Sequence, residues 1–144
     1  MQLGFKQTLE SEGQWSIGVI AANMYRNKQV ATGQTIQSLR VEATDTSLAV
    51  YGASHIKTLE SGVLPGTYVK ASDINIWGNA KGFWTEFNYR ANTIARRIFN
   101  SGSLLFRKGG RTDVWTDVIP SLIERIKDRI GEQIVNIKLV ENGD

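Results

Sequence analysis

The chain has 144 residues, 41% of them hydrophobic and 22% charged, with a formal net charge of +3. That length can bury a core in one domain without crosslinks or metal, and the lack of cysteine excludes disulfides, thiolate metal sites and a cysteine nucleophile. No apolar run reaches the ~20 residues that cross a bilayer, so no membrane partner is expected. The start, Met1-Gln2-Leu3-Gly4-Phe5-Lys6, lacks the apolar core of a signal peptide, which fits a protein made in a reducing cytoplasm.

Residues 13–29 read as a helix. Trp15, Val19, Ala22 and Tyr25 recur near the helical period, and Ile20 and Met24 widen the stripe. Residues 1–12 are expected to form an arm, with at most a turn over 3–10. After Thr32-Gly33 the pattern alternates, Leu39 and Val41 on one face against Arg40 and Glu42 on the other. Thr44-Asp45-Thr46-Ser47 has turn composition and Leu48-Ala49-Val50-Tyr51 resumes a strand, so the pair predicts an antiparallel hairpin.

Ser54 is placed to cap a short helix over 55–61, with Ile56 and Leu59 inward and Gly62 just past its end. Residues 63–66 predict a loop. Ser72 or Asp73 then caps a further short helix, Ile74 and Trp77 on one side, broken by Gly78 and Gly82. Residues 86–100 predict a stronger helix with Phe87, Ala91, Ile94, Ala95 and Ile98 inward, ended by Ser101-Gly102. A loop over 103–112 follows. Asp113 or Asp117 caps the last helix, which carries Pro120 near its start and stops at Gly131. Residues 133–140 alternate as a terminal strand. The expected fold is therefore α+β in one domain, 1–144: a small antiparallel sheet, made of the hairpin and the C-terminal strand, packed against a long N-terminal helix and further helices.

Little in the sequence points to catalysis. His55 is the one histidine, with no second His or acidic pair at metal-ligand spacing. No Gly-x-Ser-x-Gly elbow occurs. Glu124 and Asp128, four residues apart and flanked by Arg125 and Lys127, read as a solvated face rather than an acid–base dyad. No catalytic residue, cofactor or metal is expected.

Charge is the exception. Residues 87–112 hold Arg90, Arg96, Arg97, Arg107, Lys108 and Arg111 without an Asp or Glu, a +6 segment that leaves −3 for the rest. Within it, Arg107-Lys108-Gly109-Gly110-Arg111 could bring backbone and cations close to an anion. It does not match the phosphate-loop pattern, and the plainer reading is an exposed loop that docks on an acidic protein surface or is simply solvated.

Several short motifs carry a resemblance. Thr32-Gly33, Ser38-Leu39-Arg40, Tyr51-Gly52-Ala53 and Glu60-Ser61-Gly62 follow one another in an order similar to that of the tail-completion proteins of tailed bacteriophages, also called minor tail or head–tail joining (neck) proteins. Ile94-Ala95-Arg96-Arg97-Ile98, Phe106-Arg107-Lys108-Gly109-Gly110-Arg111 and Val118-Ile119-Pro120 resemble a divergent branch of them, so the likeness spans about residues 15–140. Gly62-Val63-Leu64-Pro65-Gly66 departs from that family's usual Gly-Thr and proline-rich loop.

The resemblance implies a structural virion protein of the neck or upper tail, made in the host cytoplasm. It would form a ring homo-oligomer that joins the portal or connector to the tail proteins without catalysis. A ring needs two surfaces that meet head to tail. Val63, Leu64, Leu104, Leu105, Phe106, Val135, Ile137 and Leu139 are the candidate subunit-interface residues. Arg97, Arg107, Lys108 and Arg111 are the candidates for contact with a partner or with packaged DNA in the channel. The alternative is a nucleic-acid-binding module built on the basic segment 90–111.

Overall fold

A computed structural model describes residues 5–53, 56–84, 90–131 and 136–141. Its contacts gather into two compact units, one formed by Met1–Val30, Gln34–Ile56 and Thr112–Asp144, the other by Ala31–Gly33 and Lys57–Arg111. The fold is α+β, as the sequence predicts. Ser54, His55, Phe87 and Val135, singled out above, lie outside the described residues.

The first unit is a sheet covered by two helices. Helix α1 (Lys6–Arg26) starts well before residue 13, so residues 6–12 belong to the helix and not to an arm. Its buried stripe is Leu9, Glu12, Gly13, Ser16, Ile20, Asn23 and Met24. The expected stripe is rotated from this one, for Ala22 and Tyr25 are exposed. The cause is close packing: a Cβ at Gly13 would lie 2.7 Å from Val41 Cγ1 and 2.9 Å from Leu48 Cδ1. A residue with no side chain lets the helix settle on the strands, and Leu9 is then fully buried. The C-terminus turns through Lys28, whose φ of 58° is left-handed. Gln29 N–H donates to Met24 O at 2.8 Å and Lys28 N–H to Tyr25 O at 3.1 Å, which satisfies two end carbonyls.

After a single helical turn, α2 (Gln34–Gln37), the hairpin forms as read: β1 (Arg40–Ala43) pairs antiparallel with β2 (Ser47–Gly52), Val41 opposite Val50. The Arg40 guanidinium lies 4.4 Å from the centre of the Tyr51 ring, its cross-strand partner. A hydrogen bond to the neighbouring Glu42 carboxylate pushes the Tyr51 phenol above its ordinary 10.0.

The third strand corrects the expected all-antiparallel sheet. β3 (Asn136–Glu141) pairs parallel with β2, Leu48 opposite Ile137, in the order β1-β2-β3. A parallel partner requires a crossover connection. Helix α7 (Val118–Ile130), with Pro120 in its first turn and Gly131 as C-cap, packs on α1 and immediately precedes the strand. Leu9, Leu48, Leu122 and Ile126 form the core between these layers, with Phe5, Trp15, Val41, Ala43, Ile130 and Ile137 around it.

One buried charge ties the two covering helices together. The Glu12 side chain is 3% exposed and accepts from Arg125 Nε at 2.6 Å and Arg129 Nη1 at 2.9 Å. Arg125 also stacks on Trp15, 4.2 Å from the ring centre. Burial pushes the Glu12 carboxyl up, but the two hydrogen bonds and the two guanidinium charges outweigh it, so the net shift is downward from 4.5.

The second unit begins with α3 (Thr58–Ser61) and continues with α4 (Ala71–Ala80), α5 (Arg90–Ser101) and α6 (Leu104–Arg107). Gly78 lies inside α4 and does not break it, because the Trp84 ring occupies the space a side chain would need. The Trp84 indole N–H donates to Asn75 Oδ1 at 2.8 Å and fixes that ring. The stretch read as a loop over 103–112 contains a helical turn, α6. Ser103 is its N-cap, its Oγ accepting from Phe106 N–H.

Replacing Glu12 by Gln should cost about 1–3 kcal/mol, because two charge-assisted hydrogen bonds are weakened while both arginines retain water on one side. A carboxyl with a depressed folded-state pKa stabilises above its unfolded value. The gap between wild type and Glu12→Gln in urea melts should therefore be full at neutral pH and close as pH falls below 4.5.

Candidate interaction surface

The second unit carries nine Lys and Arg against three Asp and Glu, a net +6, and the rest of the chain −3. It also carries seven exposed large hydrophobics: Leu64, Tyr68, Ile76, Trp77, Phe83, Phe99 and Leu104. The eighth on the described chain is Tyr25. Exposed apolar side chains are thus denser in this unit than in the rest of the described chain.

The middle of this unit is stitched by backbone. Helix α3 ends at Gly62, whose φ of 74° is left-handed. A Cβ there would meet Ser103 Oγ at 2.7 Å and the backbone of Phe106. The absence of that Cβ lets residues 62–66 run against α6. Val63 N–H donates to Ser103 Oγ at 2.9 Å, Ser103 N–H to Val63 O at 2.9 Å, and Gly66 N–H to Phe99 O at 2.7 Å. Further on, Arg111 N–H donates to Glu60 O at 2.8 Å, so the basic segment closes back on α3.

These ties distribute the expected contact residues. Leu64 and Leu104 are 58% and 56% exposed and lie beside the stitched positions. Val63, Leu105 and Phe106 are half-buried, Phe106 against Gly102, so they support the surface more than they present it. Arg97, Arg107 and Lys108 are exposed, and Arg111 is half-buried with its backbone anchored.

Ile137 and Leu139 lie on β3, and both are half-buried. Ile137 packs against the core of the first unit, and both line a small recess with Ser16, Ile20, Val50 and Leu122. Part of each side chain is taken up within that unit, where β3 is laid beside β2. What β3 leaves open in the described sheet is its outer backbone edge.

Phe99, Tyr68, Ile76, Trp77 and Phe83 escaped the sequence reading as surface residues. Trp77 shares a helix side with Ile74 by spacing, yet Ile74 is buried and Trp77 is 42% exposed, its ring edge-on to Phe83 at 5.1 Å. The signal was Gly78: a glycine inside a helix next to several aromatic residues marks where one of them lies down.

Among the described residues no group of three His, Cys, Asp or Glu is placed to hold a metal ion, and no helix is long and apolar enough to cross a membrane. What the arrangement offers is contact: cations for an acidic counterpart and leucine and aromatic side chains for an apolar one. Compared with protein-family models, curated proteins and solved structures, the chain finds no match.

Gly62→Ala should lower the unfolding free energy by at least about 2 kcal/mol, combining backbone strain at positive φ with a forced shift of α6. The check is the denaturant midpoint, together with loss of hydrogen-exchange protection at Val63 and Ser103 amides.

Proposed function

We propose that this chain is a structural subunit of a tailed-phage neck or upper tail. It assembles as a ring and joins the portal or connector to the tail by contact, not by catalysis. The observation that carries the reading is the gathering of net positive charge and exposed apolar side chains in one compact unit, while the other is net negative. Two unlike surfaces on one chain are what a head-to-tail ring requires. The motif order described above, from Thr32-Gly33 to Val118-Ile119-Pro120, supports the neck assignment in particular.

The test is assembly. Sedimentation velocity of the purified chain, alone and mixed with a portal or tail-tube protein, should reveal a ring-sized oligomer in at least one condition. A chain that stays monomeric at high concentration and binds neither protein overturns the reading. Deleting residues 135–144 should impair assembly if the open edge of β3 joins subunits.

A second reading, nucleic-acid binding, is favoured by the six cations and no acid in residues 87–112. It predicts a steep fall of duplex affinity with salt. The triple variant Arg107→Ala/Lys108→Ala/Arg111→Ala should then reduce the slope of log affinity against log salt by about 2–3.

A further inference from the structure

We infer that Leu64, Phe99 and Leu104, bordered by Arg96, Arg107 and Lys108, form a docking site for another protein: an apolar segment flanked by Asp and Glu. The inference rests on the assembly reading and narrows it: this face takes the joined portal or tail protein, and the next copy in the ring or DNA is the competing occupant.

Three observations carry it. First, the apolar residues belong to one locality. Val63 is bonded to Ser103, the residue before Leu104, and Gly66 to the carbonyl of Phe99, so three separate chain segments present bulky side chains around the same backbone ties. All three are about half exposed, at 58%, 49% and 56%. Second, cations lie beside them along the chain. Arg96 is three residues before Phe99 on α5, and Arg107 and Lys108 are three and four residues after Leu104. That spacing sets Arg96 beside Phe99 and Arg107 beside Leu104, and Lys108 is the C-cap residue directly after Arg107. All three cations are exposed. Third, residues 87–112 contain no Asp or Glu that would repel a partner's carboxylates.

The chemistry then separates the possible partners. A duplex presents phosphates, which cations alone neutralise, and unpaired bases stack on aromatic rings. Two of the three apolar groups here are leucines, which do neither. An apolar centre with a cationic rim fits a protein surface of opposite rim charge.

The experiment uses the full chain and two labelled probes. One is an amphipathic peptide with leucine on one face and glutamate on both flanks. The other is a duplex DNA of equal net charge. Anisotropy titrations should give tighter binding to the peptide. Leu64→Ser/Phe99→Ser/Leu104→Ser and Arg96→Glu/Arg107→Glu/Lys108→Glu should each weaken peptide binding by about tenfold or more. A peptide with serine for leucine, added to the wild-type chain, should lose affinity by the same order, independently of how the variants fold.

DNA bound at least as tightly as the peptide, unaffected by the apolar variant, overturns the inference in favour of nucleic acid. Self-association that the apolar variant abolishes, without peptide binding, overturns it in favour of a second copy. A chain that binds the peptide as expected yet never assembles keeps the docking site and loses the ring.

Discussion

The packing of the sheet unit depends on one carboxylate. Glu12 sits on the buried stripe of α1 and would be costly there alone, since a charge removed from water needs compensation. Arg125 and Arg129, one turn apart on α7, supply it with hydrogen bonds from two directions. The arginines stay half in water, so their own desolvation is modest, and Trp15 covers the flat face of one of them. This bridge sets how α1 and α7 meet over the strands. Hydrophobic contact among Leu9, Leu48, Leu122 and Ile126 supplies burial without that directionality.

The same arrangement explains what the sequence could and could not disclose. Local signals were readable: the polar tetrad between two short alternating runs became the hairpin, and Gly62, Gly102 and Gly131 close helices where expected. The inward face of α1 was not, because its stripe mixes Leu9, Ile20 and Met24 with Glu12, Gly13, Ser16 and Asn23. Ser16 is satisfied within the helix, its Oγ donating to Gly13 O at 2.6 Å, but the other three are acceptable inside only through partners far along the chain. Glu12 needs Arg125 and Arg129, Gly13 needs Val41 and Leu48 close by, and the Asn23 amide donates to Val114 O at 2.9 Å. The direction of β3 was equally hidden. Alternating residues make a strand, but whether it runs with or against β2 is decided by the connection that delivers it.

The candidate surface was half legible. A basic run is visible as composition, and Leu64 and Leu104 as apolar residues in loop-like sequence. Phe99 was not distinguishable from a core aromatic, because helical spacing gives a face without saying what covers it. The bond between Gly66 and the Phe99 carbonyl, with those between Val63 and Ser103, shows that this end of α5 adjoins Leu64. The two units thus divide their chemistry. One uses its charge inside, to register two helices, while the other keeps its charge and much of its apolar area outside, where a partner can use them.

The bond between Arg111 and Glu60 bears on how the chain finds this arrangement. Strands β2 and β3 are neighbours in space, yet Lys57–Arg111, the main part of the second unit, is threaded between them in sequence. Once that backbone bond and its neighbours form, the entry and exit of the intervening segment are clasped. The chain separating the strands then shrinks to the stretch from Gly52 to Glu60 and the stretch from Arg111 to Asn136, which carries α7. Pairing of two parallel strands, ordinarily a slow and long-range event, then closes a shorter loop. The clasp gives the molecule a natural order of construction, inner segment before sheet.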